Sequence, residues 1–387
     1  MKRILLFSCL LVLIFSCSEN GLRKGNEPAI EEKDSNSLLI DLPQLDKWYV
    51  RKSRSYFFRF YSHEIARNKF SGMFLVAKNG HVLFERTTGY SNVKKKEKLT
   101  AETPIHVASI SKVATTLAVL RLCDQNLIDL DADVRKYLPE LPYNGITVRM
   151  LLSHRSGIQY YGYFTSRTWN SGKTMTNKDI LKLIVKHKFR LNFPPGSKFE
   201  YSNTNFALLA LITERVTKEK FPAIMKRLIF EPLNMEHSFI MHIGINPETV
   251  SQSYDETGKI EAYMYLDAIY GDKNLYTTAR DLLKMDRGTY SPGFISDSLK
   301  KQMYMGYSRQ PNKKSNYGLG IRITEDKGKD TYFFHTGWWH GNTGCYASLR
   351  SDTACVIAIS NRYTKVVYQV PRLAGYFGNY PYSFTYE

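Results

Sequence analysis

The segment from Ser109 to Gln125 constrains this 387-residue chain more than any other. It reads as a helix, and it is apolar nearly all round: Ile110, Val113, Ala114, Leu117, Ala118, Val119, Leu120 and Leu122 leave no polar face. Such a helix is buried. A lysine in its first turn, Lys112, is then costly unless it is partnered or works uncharged. Spacing of three places Ser109 and Lys112 on one face, about one helical turn apart. Lys112 can therefore take or relay the Ser109 proton, because desolvation lowers a lysine pKa from its usual ~10.4. The helix N-terminus adds positive potential that favours an alkoxide or oxyanion. A capping serine followed by a snorkelling lysine would account for the same four residues, so the pair needs support from elsewhere in the chain.

The surrounding pattern indicates an α+β fold. Asp46 to Arg67 carries Trp48, Tyr49, Tyr56, Phe57, Phe60 and Tyr61 among basic residues and reads as a helix packed on a sheet. Phe70–Lys78 and His81–Thr87 are strands joined by Asn79-Gly80, a strong hairpin signal. Helical patterns follow at Ser109–Gln125, Thr176–Lys186, Asn203–Lys218, Phe221–Ile229 and Thr278–Arg287. Strands return at Tyr317–Thr324, Thr331–His335, Gly344–Arg350 and Cys355–Ser360. Strands near both ends with helices between them predict one antiparallel sheet flanked by terminal helices, with an inserted helical subdomain and a cleft between the two. The sheet is expected from about 46–100 and 315–387, and the helical part from about 101–314.

Two further motifs supply the support. Tyr201-Ser202-Asn203 follows Pro194-Pro195-Gly196 and opens the apolar helix containing Phe206, Leu208, Leu209 and Ile212. From a loop at a helix start, Tyr201 and Asn203 can both face a cleft. A Tyr201 phenolate beside a Lys112 ammonium is a candidate general base, since a nearby cation lowers a phenol pKa. His335-Thr336-Gly337 ends a strand, and Gly337 allows close approach of backbone to a ligand. Trp338, Trp339 and His340 then form a bulky wall. His335 and His340 lack a third ligand at suitable spacing, so neither a metal nor a cofactor is expected. The ordered triple points to acyl transfer through a covalent serine ester.

At these residues the chain resembles the serine β-lactamase and penicillin-binding-protein superfamily, most of all its class C-related branch of DD-peptidases, esterases and D-amino-acid peptidases. The likeness covers roughly residues 50 to 365 and includes Leu151-Leu152-Ser153-His154-Arg155-Ser156-Gly157 and Leu275–Leu282. It implies a β-lactamase/transpeptidase-like fold with Ser109 as nucleophile, Lys112 as its partner and Tyr201 as the group that activates Ser109 and later water. It implies that Asn203 orients Lys112 and the substrate amide, and that the backbone N–H groups of Ser109 and Trp338 form an oxyanion hole. His335 and Thr336 would then shape the potential near a substrate carboxylate. Lactamases of this branch usually carry lysine where His335 stands, and a neutral histidine attracts a carboxylate less than an ammonium does. A peptidase or esterase is therefore expected over a dedicated β-lactamase. The closing C-terminal helix is expected to be short or irregular, given Val370-Pro371. The aromatic stretch Ile158–Phe164 is expected to be a loop at the cleft entrance.

The net charge of +18 admits nucleic acid, anionic membranes and acidic polymers as partners. No nucleic-acid motif and no Lys/Arg stripe with interleaved aromatics accompanies it, so the expected partners are a small-molecule or peptide substrate and a membrane. Met1-Lys2-Arg3 followed by the apolar run Ile4 to Phe15 reads as a secretory signal over residues 1–16, too short to span a bilayer. Leu13-Ile14-Phe15-Ser16-Cys17 resembles a bacterial lipobox, which implies lipidation at Cys17, a polar tether over 17–45, a hydrolase domain over 46–387 and placement in a bacterial cell envelope as an outer-membrane or periplasm-facing lipoprotein. Cys123, Cys345 and Cys355 have apolar surroundings. A Cys345–Cys355 disulfide is sterically allowed but not favoured, because a turn near Ser351-Asp352 does not place them opposite.

Overall fold

The computed structural model describes residues 38–170, 172–309 and 314–382. The signal segment, Cys17 and most of the tether lie outside them. A helix at Lys47–Phe60 (α1) is capped by Asp46, whose carboxylate accepts from Trp48 N–H and Tyr49 N–H. The hairpin follows as β1 (Gly72–Lys78) and β2 (His81–Thr88). Its two turn residues both have positive φ, +50° at Asn79 and +72° at Gly80, the geometry that matches strand twist. Short strands β3 (Tyr90–Asn92) and β4 (Glu97–Lys98) pair with each other. Three more, β5 (Ile105–His106), β6 (Phe239–Ile240) and β7 (Leu275–Thr277), form a small sheet in the order β5-β7-β6.

The helical part contains α2 (Ser111–Asp124), α3 (Val148–Leu152), α4 (Tyr161–Thr168), α5 (Asn177–His187), α6 (Asn203–Thr217), α7 (Phe221–Met225), α8 (Ala279–Gly288) and α9 (Asp297–Met303). Five of these coincide with the sequence patterns, and α3, α4 and α9 do not. The stretch expected as an entrance loop holds the start of α4, with Tyr161 fully buried and Tyr163 exposed.

The last third supplies β8 (Ser315–Tyr317), β9 (Arg322–Thr324), β10 (Tyr332–Trp339), β11 (Asn342–Leu349) and β12 (Ala354–Ser360). The main sheet has seven antiparallel strands in the order β2-β1-β12-β11-β10-β9-β8. Its middle is covered on both faces, and the side chains alternate as a pleat requires. Met73, Leu75, Ile357 and Ile359 face the helical core, whereas Phe74, Val76, Val356 and Ala358 pack toward α1 and the chain end. That end is an irregular 3-10 stretch, Val366–Tyr376, with Pro371 inside it. Proline has no N–H to donate, which accounts for the absence of a regular closing helix.

Two differences from the sequence pattern shape the site. The Tyr317–Thr324 pattern is broken into a hairpin, because Gly318-Leu319-Gly320 makes a tight turn closed by Gly318 N–H to Ile321 O at 2.8 Å. Gly320 has φ +67°, and a Cβ there would meet Thr116 Oγ1 at 1.9 Å and Lys112 O at 3.1 Å. The hairpin therefore rests directly on α2. Cys345 and Cys355 lie opposite Ala358 and Ser348, not each other, and face opposite sides of the sheet. Both are buried free thiols, as Cys123 is a half-buried one.

Candidate active site

Ser109 lies in a 3-10 turn, Ala108–Ile110, that leads into α2. The preceding residue, Ala108, is held at φ +47°, a conformation that a residue with a Cβ adopts only when its surroundings impose it. Those surroundings are visible. Ala108 N–H donates to His106 Nδ1 at 3.3 Å, and Ser111 Oγ donates to Ala108 O at 2.6 Å. The other ring nitrogen, Nε2, faces both Asn274 Oδ1 and Asn274 N–H, each at 3.2 Å. Burial lowers the His106 pKa to about 4, so the ring stays neutral. From the other side β10 presses on the same turn. A Cβ on Gly337 would lie 2.3 Å from Val107 O and 3.2 Å from Ala108 Cβ, so only glycine lets the strand reach the nucleophile.

Lys112 is fully buried. Its Nζ lies 3.0 Å from Ser109 Oγ and donates to Asp272 O at 2.6 Å. Burial lowers its pKa to about 7; the Asp272 charge opposes that shift and Arg322 adds to it. A substantial fraction of the amine is therefore neutral at neutral pH and able to accept a proton from Ser109.

Tyr201 differs from the sequence expectation. The Lys112 ammonium lies over its ring, 5.0 Å from the centroid, rather than at its hydroxyl. Burial raises the phenol pKa further than Arg322 and the Ser109 hydroxyl lower it. Tyr201 is thus a neutral phenol beside the nucleophile, its buried hydroxyl next to that of Ser109. It can donate or pass on a proton, while Lys112 is the group placed to accept one. Asn203 begins α6 and lines the same cleft, with a buried Oδ1 that has no partner among the described residues.

The segment Leu151–Gly157 serves as the bracket behind this loop. His154, itself at φ +56°, accepts at Nδ1 from Ser202 N–H at 3.2 Å, and its ring lies 4.3 Å from that of Tyr201. His335 also sits behind the cleft rather than in it. It is fully buried, with Nε2 3.1 Å from Tyr317 Oη and Nδ1 2.7 Å from Thr336 O. Burial, reinforced by Arg322 and Lys112, holds it well below its usual pKa. A neutral ring there supplies no positive charge for a substrate carboxylate. Thr336, Gly337 and Trp338 do line the cleft.

Arg322, the first residue of β9, is a cation that lines the cleft. Its guanidinium lies 5.1 Å from the Tyr201 ring centroid and 6.0 Å from that of Tyr317. Its Nε has no partner among the described residues. Sequence reading missed it because a continuous Tyr317–Thr324 strand gives Arg322 no special place; the Gly-Leu-Gly turn was the available signal. The open cleft has a volume of about 670 Å³ and is walled by Tyr160, Met264, Trp338, Trp339 and Tyr368, a size that suits a small-molecule or short-peptide ligand.

A serine hydroxyl bonded to a buried lysine amine, with a phenol beside it and a cation across the cleft, defines a serine hydrolase of amides or esters. The beta-lactamase family model matches residues 57–372, and the chain belongs to that family of β-lactamases and penicillin-binding-protein-like enzymes. It is 27% identical over 319 residues to penicillin-binding protein 4* of Bacillus subtilis (strain 168), covering 78% of this chain and 70% of that one. Among solved structures, a penicillin-binding protein from Bacillus halodurans superposes with a TM-score of 0.71 at 22% identity, over 84% of this chain and 98% of the other. The D-amino acid amidase from Ochrobactrum anthropi SV3 gives 0.66 at 21% identity, over 81% and 91%. At those identities the structural likeness establishes the fold.

Proposed function

We propose that this protein is an envelope-facing hydrolase that cleaves an amide or ester close to a carboxylate, as in a D-amino-acid peptide, through an acyl-Ser109 intermediate. The carrying observation is the 3.0 Å Lys112–Ser109 contact in a cleft whose available cation is Arg322. In acylation, Ser109 Oγ bonds to the carbonyl carbon as its proton passes to neutral Lys112. The resulting oxyanion is held by the backbone N–H groups of Ser109 and Trp338. The bond to the leaving nitrogen or oxygen then breaks. The leaving atom takes up the proton that Lys112 accepted from Ser109, and the neutral Tyr201 phenol beside the nucleophile is placed to pass it on. In deacylation, water attacks the ester carbonyl and gives up a proton to Lys112, which returns it to Ser109 Oγ as the acyl C–O bond breaks.

The neutral, buried His335 supports a peptidase or esterase rather than a dedicated β-lactamase, as does the likeness to a penicillin-binding protein and to a D-amino acid amidase. Placement in the envelope through a lipid on Cys17 is part of the same reading. The outward face of α1 is consistent with it: Trp48 and Phe58 are exposed among Lys47, Arg51, Lys52 and Arg54, and the helix carries no acidic residue.

The test is intact mass of the purified protein after separate exposure to a fluorophosphonate, a penicillin and a D-alanyl peptide ester. A one-to-one adduct on Ser109, absent in Ser109→Ala, is expected, with rapid decay for the peptide ester. Failure of every probe to label would refute the proposal. A peptide adduct that persists would replace turnover by a sensor role.

A further inference from the structure

The loop that receives the Lys112 ammonium carries two consecutive charged residues, Asp272 and Lys273, and buries both side chains, at 0% and 2% exposure. Burying an ion pair is costly, because desolvation rivals the mutual attraction. The geometry here is closed around one phenol. Tyr161 Oη donates to Asp272 Oδ2 at 2.6 Å and accepts from Lys273 Nζ at 2.8 Å, and Lys273 Nζ lies 3.6 Å from the same carboxylate oxygen. The Lys273 ammonium also lies 4.6 Å from the Trp339 ring centroid, beneath a wall of the cleft. Asp272 Oδ1 is buried with no partner among the described residues.

The loop is clamped in place. Gly271, at φ +93°, leaves no room for a Cβ against Phe206 O of α6 (2.5 Å), and Gly271 O accepts from Thr115 Oγ1 of α2 at 2.8 Å. Nothing in the acylation chemistry uses these three side chains, yet the main chain of Asp272 touches the catalytic amine.

We propose that Tyr161, Asp272 and Lys273 are positioning residues for Lys112: they hold the Asp272 carbonyl against its amine and set the pH at which it can accept the Ser109 proton. This rests on the acylation reading of Ser109 and Lys112. The groups facing Lys112 leave this cluster as the adjustable charge. From the turn after α3 and from β10 come His154 and His335, both held neutral by burial, and from β8 and the loop before α6 come the neutral phenols Tyr317 and Tyr201. Arg322 of β9 is a fixed cation. Asp272 is the anion that acts on Lys112, and Lys273, its own pKa lowered by burial against the pull of Asp272, lies 3.6 Å from that carboxylate.

The signs follow. Lys273→Met leaves the Asp272 charge uncompensated, which favours the Lys112 ammonium. The acidic limb of kcat/KM then moves to higher pH, by about one unit for a charge at this range in a partly screened site. Asp272→Asn removes the anion and leaves a second buried cation, so the limb moves to lower pH. The double variant has neither charge and returns toward the wild-type limb. It also leaves no unpaired buried ion, so it remains informative if Asp272→Asn fails to fold.

The experiment uses the full chain and measures kcat/KM for a p-nitrophenyl ester between pH 5 and 9, together with the rate of Ser109 labelling by a fluorophosphonate over the same range. Opposite displacement of the single-variant limbs with return in the double, or the Lys273→Met displacement with return if Asp272→Asn is not folded, is the expected result. A wild type that labels Ser109, with variants that lose rate uniformly at all pH values, would overturn the inference and leave the acylation reading intact. A wild type that does not label refutes that reading, and the inference with it.

Discussion

Gly337→Ala should disable the nucleophile while leaving the fold in place. The added Cβ would stand 2.3 Å from Val107 O and 3.2 Å from Ala108 Cβ. An ordinary contact between such atoms is roughly 3.4 Å or more, so about 1 Å of separation must come from β10 or from the turn carrying Ser109. No flexible side chain can give way, since the nearest opposing atom is backbone. The strand is fixed by its ladder to β11, with Gly337 opposite Gly344. The turn is already held at φ +47° by the His106 contact, and it is the part that moves. Misplacing a catalytic group by about 1 Å costs on the order of a hundredfold in rate, and the overpacking costs about 1–3 kcal/mol of stability. The assay is the second-order rate of Ser109 labelling by a fluorophosphonate, with urea unfolding measured alongside. Gly328→Ala is the control. Gly328 also has positive φ, +71°, but has open space around it, so it should lose about 1 kcal/mol and no labelling rate. A Gly337→Ala protein that labels at the wild-type rate would refute the packing argument.

Arg322→Gln should cost a carboxylate-bearing substrate about ten- to a hundredfold in kcat/KM, the worth of a charge-assisted hydrogen bond, and a neutral ester much less; equal losses on both would contradict the anchor role. The kcat/KM profile of the wild type should fall as pH drops through about 7, because protonation of Lys112 removes the base; a profile flat from pH 5 to 9 would exclude Lys112 from that role. His106, His154 and His335 are all buried and have depressed pKa values. Below their ordinary value of about 6.5 the unfolded chain binds protons that the folded one does not. Their contribution to stability is therefore present above pH 6.5 and is lost as pH falls toward 4, at up to about 1.4 kcal/mol per histidine per pH unit. Urea midpoints measured between pH 7 and 4 check this, and a midpoint unchanged across that range would contradict the neutral histidines.

Local pattern was sufficient for much of this protein. The all-apolar helix after Ser109, the Asn79-Gly80 hairpin and the alternation in β12 each depend on neighbours within a few residues, and such preferences can be read directly from a sequence. The Ser109–Lys112 pair was legible for the same reason, since three residues of helix bring the two side chains to one face. The short helices α3, α4 and α9 were not, because they carry too few residues to show a period, whereas α7, equally short, runs on into a helical segment that ends at Phe230.

The charges around the nucleophile were decided elsewhere. Arg322 enters the cleft only because a glycine turn rests on α2, and His335 leaves it only because Tyr317 stands behind it. Tyr201 keeps its proton because its hydroxyl is buried and the lysine lies over its ring instead of at that hydroxyl. Asp272 meets Lys112 across 160 residues of chain, with Lys273 paired to its carboxylate. Sequence determines which side chains can ionise and what faces a helix or strand presents. Burial and the direction of approach set the state of each group, and both are properties of contacts between distant segments that only the tertiary structure brings together.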